Sequence, residues 1–167
     1  MGRLLMPMSM LSLLSIGAIF GFFYAWVCST MWGLDMADSG VAITAMQAMN
    51  ASVRNPVFFP AFFLTPVILA LTGGLALRLG RRRAGVLFLM GGGLYFGGAL
   101  LVTVMVNVPM NEALALVELP ADELAAAEVW QAYSTPWQFW NMLRTIASGG
   151  ALILTGLAIY GLNPEKG

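Results

Sequence analysis

The stretch AGVLFLMGGGLYFGGALLVTVMV, residues 84–106, runs for 23 residues without a charge. A helix rising about 1.5 Å per residue needs about 20 such residues to cross the hydrocarbon core of a bilayer. The stretch does not alternate polar with apolar side chains, so it reads as a helix and not as a barrel strand. Its flanks differ in kind: Arg81, Arg82 and Arg83 stand before it, and Asn107-Val108-Pro109-Met110-Asn111 follows it. Three further segments are long and apolar enough, residues 11–31, 57–77 and about 141–161, the last uncharged after Arg144. In lipid every backbone polar group must bond within the chain, which makes all four helical. The expected fold is all-α, an integral membrane four-helix bundle forming one domain over residues 1–167.

The composition agrees with that fold. Apolar residues make up 59% of the 167 and charged residues 10%, against about 45–50% and about 25% in soluble domains. Mean hydropathy is +0.82. Eight cations cancel eight anions, so there is no basic surface for phosphate and nucleic acid is excluded as a partner. The partner is the lipid bilayer. With no histidine there is no His-ligated haem, no His-rich copper or iron site and no imidazole base. A single cysteine rules out an internal disulfide, a structural zinc site and an iron–sulfur cluster. No metal and no cofactor are expected. Cys28 reads as a small buried side chain, since no histidine can activate it.

The first apolar segment reads as a retained helix. Its uncharged run is too long for a signal peptide and no small-residue cleavage site ends it. Arg3, Arg78, Arg81, Arg82, Arg83 and Lys166 lie at the two termini and in the short second connection. The positive-inside rule makes that side cytoplasmic. Asp35, Asp38, Glu112, Glu118, Asp122, Glu123 and Glu128 fall in the two opposite loops. Both termini are therefore expected in the cytoplasm and both long loops outside. Arg54 and Arg144 are the two cations this topology leaves over.

Both outer loops carry helical signals. In the first, Ala42, Ala45, Met46, Met49 and Val53 recur at helical spacing behind Ser39, the expected N-cap. In the second, Pro120-Ala121-Asp122-Glu123 opens a short helix bearing Trp130 and Tyr133, and Ser134-Thr135-Pro136 starts the fourth span. Small residues four apart, Gly17 with Gly21 and Gly93 with Gly97, suit close helix contact.

Polarity thickens toward the outer side of all four spans. Trp137, Asn141, Arg144, Ser148, Ala151 and Thr155 are spaced 4, 3, 4, 3, 4, along one face of a helix. Trp140 falls beside that line. Arg144 stands roughly 12 Å along the helix from Pro136, where a cation must face the bundle, find a partner or snorkel. Asn107, Asn111 and Glu112 sit where the third span leaves the membrane, with Thr103 a turn below Asn107. Pro109 removes a backbone donor there, so a bend or fray is expected. Arg54 and Asn55 precede Pro56 at the second span, and Tyr24, Cys28 and Trp32 share a face at the end of the first. Two readings stay open. These groups either line a pocket, or serve as an aromatic belt, helix caps and an Arg144 pair with Glu112 or Glu128 that locks a loop down.

The ordered set Asn107-Val108-Pro109-Met110-Asn111, Trp130 to Tyr133, then Trp137, Asn141 and Arg144 resembles the anthrone-oxygenase-like family of small integral membrane proteins. Arg54-Asn55-Pro56 fits the same pattern, and the resemblance extends over nearly the whole chain. It implies a four-helix membrane protein. A few fungal relatives oxidise anthrones to anthraquinones with oxygen and without metal or flavin. The alanine- and glycine-rich chain suggests a bacterial inner membrane.

Such chemistry needs a base, a donor for the enolate and a dry cavity. The residues present could supply them: Glu112 as base, Arg144 on the enolate oxygen, and Asn107 and Asn141 orienting it. Arg54, Asn55, Asn111 and Tyr133 would line the substrate site, with Trp137 and Trp140 stacking on a flat molecule. The expected ligand is a lipophilic aromatic or quinone-like molecule. The rival reading is a non-catalytic small subunit of a larger respiratory or photosynthetic membrane complex, or a homo-oligomer.

Overall fold

The computed structural model describes residues 2–162, and Lys166 lies outside that range. The described residues form five helices: α1 (Gly2–Asp35), α2 (Ser39–Ser52), α3 (Phe58–Arg78), α4 (Arg82–Ala115) and α5 (Glu123–Tyr160). All but α2 are long and apolar enough to cross a membrane. Their outward faces are those of a lipid-embedded protein, with Leu14, Leu64, Met105, Ile146 and Ile153 exposed. The chain is an all-helical integral membrane protein built as a four-helix bundle.

The four long helices form a ring in which each packs on two neighbours, in the order α1, α3, α4, α5. Up-and-down connectivity follows from the tight turn between α3 and α4. Gly80 adopts φ of +76° there, a left-handed conformation open to glycine at no steric cost. The Arg81 N–H then donates to the Ala76 carbonyl at 2.9 Å. At the far end α2 lies across the bundle as a cap, and that end is called the capped end below.

Close approach of α3 and α4 depends on glycine. A Cβ on Gly85 would stand 2.9 Å from the Gly73 carbonyl, and one on Gly92 would meet Leu69 at 3.3 Å. Between α4 and α5 the same holds for Gly98, where a Cβ would fall 2.6 Å from that of Ala147. Gly21, Gly93 and Gly97 have nothing within 4 Å and are exposed. Of the expected pairs only Gly17 faces a neighbouring helix, where a Cβ would meet Leu152 at 3.9 Å. Spacing of small residues marks a smooth strip on a helix but leaves open which way that strip turns.

Three further expectations are corrected. The α2 N-cap is Asp38, not Ser39: its Oδ1 accepts from the Gly40 and Val41 N–H groups at 2.9 and 3.2 Å. The second loop helix and the fourth span are one helix, since α5 runs through Pro136 without a break. Packing overrides the proline, because Trp130 and Tyr133 above it and Trp137 below it are all buried. Nor does α4 fray at Pro109. It widens into π-helical turns over Phe96–Leu101 and Thr103–Asn107, where the Val108 N–H donates five residues back to Thr103. Pro109 then opens a new α-helical stretch, a position that needs no intrahelical donor.

The capped end has its own core. Ala42, Ile43 and Met46 of α2 pack with Met31, Leu114, Trp130, Tyr133 and Trp137. These three aromatics are thus core side chains and not an interfacial belt. Asp35 ties α1 to α5, its Oδ1 accepting from Trp130 Nε1 at 2.9 Å and Ser134 Oγ at 2.7 Å. Its Oδ2 accepts from Gln138 Nε2 at 2.8 Å. Asp35→Ala leaves the buried indole N–H without its acceptor and should lower unfolding free energy by about 2 kcal/mol. Thermal melting in detergent checks this, and an unshifted transition would show the helix ends hold without the knot.

Candidate ligand-binding site at the capped end

The predicted stripe on α5 is real: Trp137, Asn141, Arg144, Ser148, Ala151 and Thr155 are all buried. At its centre Arg144 is 4% exposed. Its Nη1 donates to Thr103 Oγ1 at 3.2 Å and its Nη2 to Asn141 Oδ1 at 3.0 Å. The guanidinium carbon sits 4.7 Å from the Phe23 ring centre and 5.1 Å from that of Trp137. These ring faces are negative and attract the cation. Among the described residues no carboxylate reaches it, and its Nε has no hydrogen-bond partner. The alternative pair with Glu112 or Glu128 does not form. Glu112 instead meets Arg54 at 3.3 Å, both side chains about half exposed.

Arg144 forms part of the wall of a cavity of about 300 Å³. Asn141 and Trp137 join it from α5, and Phe22, Phe23 and Trp26 from α1. On α3 the wall is Phe58 and Phe62. Thr103, Val104 and Asn111 close it from α4, while Asn50 and the Arg54–Glu112 pair stand at the α2 side. The lining is thus aromatic, with a few polar groups converging on one region, as small-molecule sites are built.

Each polar group is held in place. Asn141 Nδ2 donates to the Phe23 carbonyl at 3.2 Å, fixing the amide oxygen toward Arg144. Asn111 Oδ1 accepts from both Trp137 Nε1 at 2.9 Å and Tyr133 Oη at 2.8 Å. Pro66 has no N–H for the Phe62 carbonyl, and Tyr95 Oη donates to it instead at 2.8 Å. That bond locks the α3 wall to α4.

Of the expected site residues, Arg54, Asn111, Glu112, Trp137, Asn141 and Arg144 line the cavity. Four do not. Asn55 is a turn cap, accepting from the Val57 and Phe58 N–H groups at 2.9 Å each. Tyr133 is one layer out, acting on the wall through Asn111. Trp140 packs edge-on against Phe139 at 5.3 Å, away from the cavity, since Asn141 takes the inward position at that level. Asn107 is fully buried with neither amide atom partnered, and it borders no part of the cavity. The face of Tyr24, Cys28 and Trp32 points outward, so Cys28 is exposed and not buried. Phe23 and Trp26 take the inward positions of α1. They were missed because a phenylalanine in a span reads as packing until its neighbours are known.

The four-helix membrane protein thus carries a buried guanidinium in the wall of an aromatic cavity, with no carboxylate partner among the described residues. The class is therefore an integral membrane bundle with an aromatic, partly polar cavity at its capped end. The family follows from the sequence: the anthrone oxygenase family matches residues 49–154, and the chain belongs to it. The matched region carries Arg54, Glu112, Asn141 and Arg144 but leaves out α1, less than the whole-chain extent expected. No curated protein and no solved structure matches the chain.

Proposed function

We propose that the protein binds a lipophilic aromatic or quinone-like molecule in this cavity and oxidises it with oxygen, without a cofactor. The observation that carries this is Arg144, buried with no carboxylate partner and one unused donor against an aromatic wall. A cation so placed is stabilised best by charge that arrives with the ligand. Family membership supports the oxygenase reading.

In this mechanism the substrate is its own electron donor. Glu112 at the cavity edge takes a proton from the benzylic CH₂ of an anthrone-like molecule, and the enolate oxygen rests on Arg144. The carbanion passes one electron to oxygen, and the resulting radical and superoxide join as a peroxide. Loss of water leaves the new carbonyl, so CH₂ and O₂ become C=O and H₂O. Asn141 holds the guanidinium in line, and Trp137 and Phe23 cover the flat rings. The arginine cluster at the other end of the bundle supports an orientation with the capped end outside, in a bacterial inner membrane.

Oxygen uptake with an anthrone or hydroquinone in proteoliposomes tests the proposal. Wild type should exceed background, and Glu112→Gln should slow turnover by about 10²-fold with ligand affinity held. Equal background rates in wild type and Arg144→Ala would sink the enzyme reading for those substrates.

A further inference from the structure

The cavity is not sealed by protein on all sides. Helices α3 and α4 touch closely along their inner halves through Gly73, Gly85 and Gly92. Toward the capped end they part: no Cα of Phe58–Arg78 comes within 8 Å of one in residues 103–115. The second widened π-turn of α4, Thr103–Asn107, falls in this stretch, consistent with the frequent place of such turns at functional sites. Side chains on the two edges both line the cavity and face outward, Phe63 at 45% exposure and Val104 at 45%, with Phe59 beside them. All three are apolar and lie on membrane-spanning helices. The gap is therefore a slot toward lipid. The other approach, on the α2 side, is crossed by the Arg54–Glu112 pair, which also borders a groove on the polar cap.

Size sets a second constraint. About 300 Å³ is at the small end of ligand pockets, enough for a flat ring system but not for a ring system together with a long chain. Thr103, which accepts from Arg144, neighbours Val104 at the slot, so the cation and the exit adjoin.

We propose that the cavity is entered sideways from the bilayer and takes a tailed phenol or quinol. The ring oxygen would sit on Arg144, and the hydrocarbon chain would leave between Phe63 and Val104 and remain in lipid. This rests on the proposed ring site at Arg144 and adds to it the route, and the residues that leave room for a tail. Because the tail stays in lipid whether or not the head is bound, it should neither help nor hinder wild-type binding.

The test uses the full chain in phosphatidylcholine nanodiscs, with quenching of tryptophan fluorescence as the readout. The probes are a decyl-substituted benzoquinol and the same head group without its chain, both expressed per lipid. In wild type the two affinities should agree within about threefold. Val104→Trp, at the slot edge of the wall, should weaken the tailed probe at least tenfold more than the tailless one. Should that variant fail to fold, Phe63→Ala serves: it widens the slot and should speed association of the tailed probe severalfold.

A tailed probe excluded tenfold from wild type overturns the slot, while Arg144-dependent binding of the tailless probe keeps the ring site. So does a Val104→Trp effect equal on both probes, or an unchanged association rate in Phe63→Ala. No binding of either probe overturns the ring site and the slot together. Discs of phosphatidylglycerol ask whether an anionic lipid headgroup is the true occupant. A tenfold loss of both probes there assigns the cavity to lipid and overturns the proposal.

Discussion

Arg144→Met should weaken ligand binding about 10- to 100-fold and slow turnover about 10²–10³-fold, while leaving the protein at least as resistant to heat as the wild type. Burying a cation costs several kcal/mol even after relaxation, and Arg144 has no carboxylate to offset that cost. What it has are two hydrogen bonds to neutral acceptors and two ring faces. Methionine fills a similar volume and keeps contact with Phe23 and Trp137. Thr103 Oγ1 remains satisfied, since it donates to the Ala99 carbonyl at 2.8 Å. Asn141 Oδ1 loses its donor, a penalty of about 1–3 kcal/mol, which the recovered desolvation offsets.

Function has no such compensation. A charge-assisted hydrogen bond to the ligand is worth about 1.5–3 kcal/mol, or about 10- to 100-fold in affinity. Loss of a preorganised donor to a developing oxyanion costs about 10²–10³ in rate. Melting curves in detergent beside oxygen uptake separate the two effects. A variant that melts far below wild type, and regains its stability but not its activity with lysine at the position, would make Arg144 a structural tie and remove the site's anchor.

Gly85→Ala and Gly93→Ala form the second test, with the largest effect expected on stability. Both are single methyl additions to the same helix, eight residues apart. At Gly85 the methyl would lie 2.9 Å from the Gly73 backbone carbonyl and 2.6 Å from Leu77 Cγ. Leu77 can move, but the carbonyl cannot without parting α3 from α4. Overpacking of this kind costs about 2–3 kcal/mol, and in lipid no hydrophobic force pulls the helices back together. At Gly93 nothing stands within 4 Å, and alanine should be neutral or stabilising by up to about 1 kcal/mol through its lower chain entropy. Melts of the two variants measured side by side decide it, and equal shifts would mean that α3 and α4 do not meet at Gly85.

Much of this arrangement was legible before any coordinates. A 23-residue run without charge leaves no choice but a spanning helix, and the 4-3-4-3-4 stripe marked one polar face of α5, whose Arg144 had to face the bundle, find a partner or snorkel. The glycine contacts were not legible in the same way. Gly85 and Gly93 look alike in one dimension, and only the ring order of the helices tells them apart. Trp140 misled for a related reason, since a residue 60° off the stripe can fall on either side of a wall.

What the sequence by itself determined is whatever solvation forces on a single helix: four spans, an all-helical fold, and one polar stripe that carries Arg144. Tertiary structure alone decided which groups that arginine meets. The pairing of Glu112 with Arg54, the Phe23 and Trp137 faces on the guanidinium and the parting of α3 from α4 all depend on residues far apart in the chain. Hydrophobic burial acts on each helix separately, whereas a cavity exists only where several helices fail to touch.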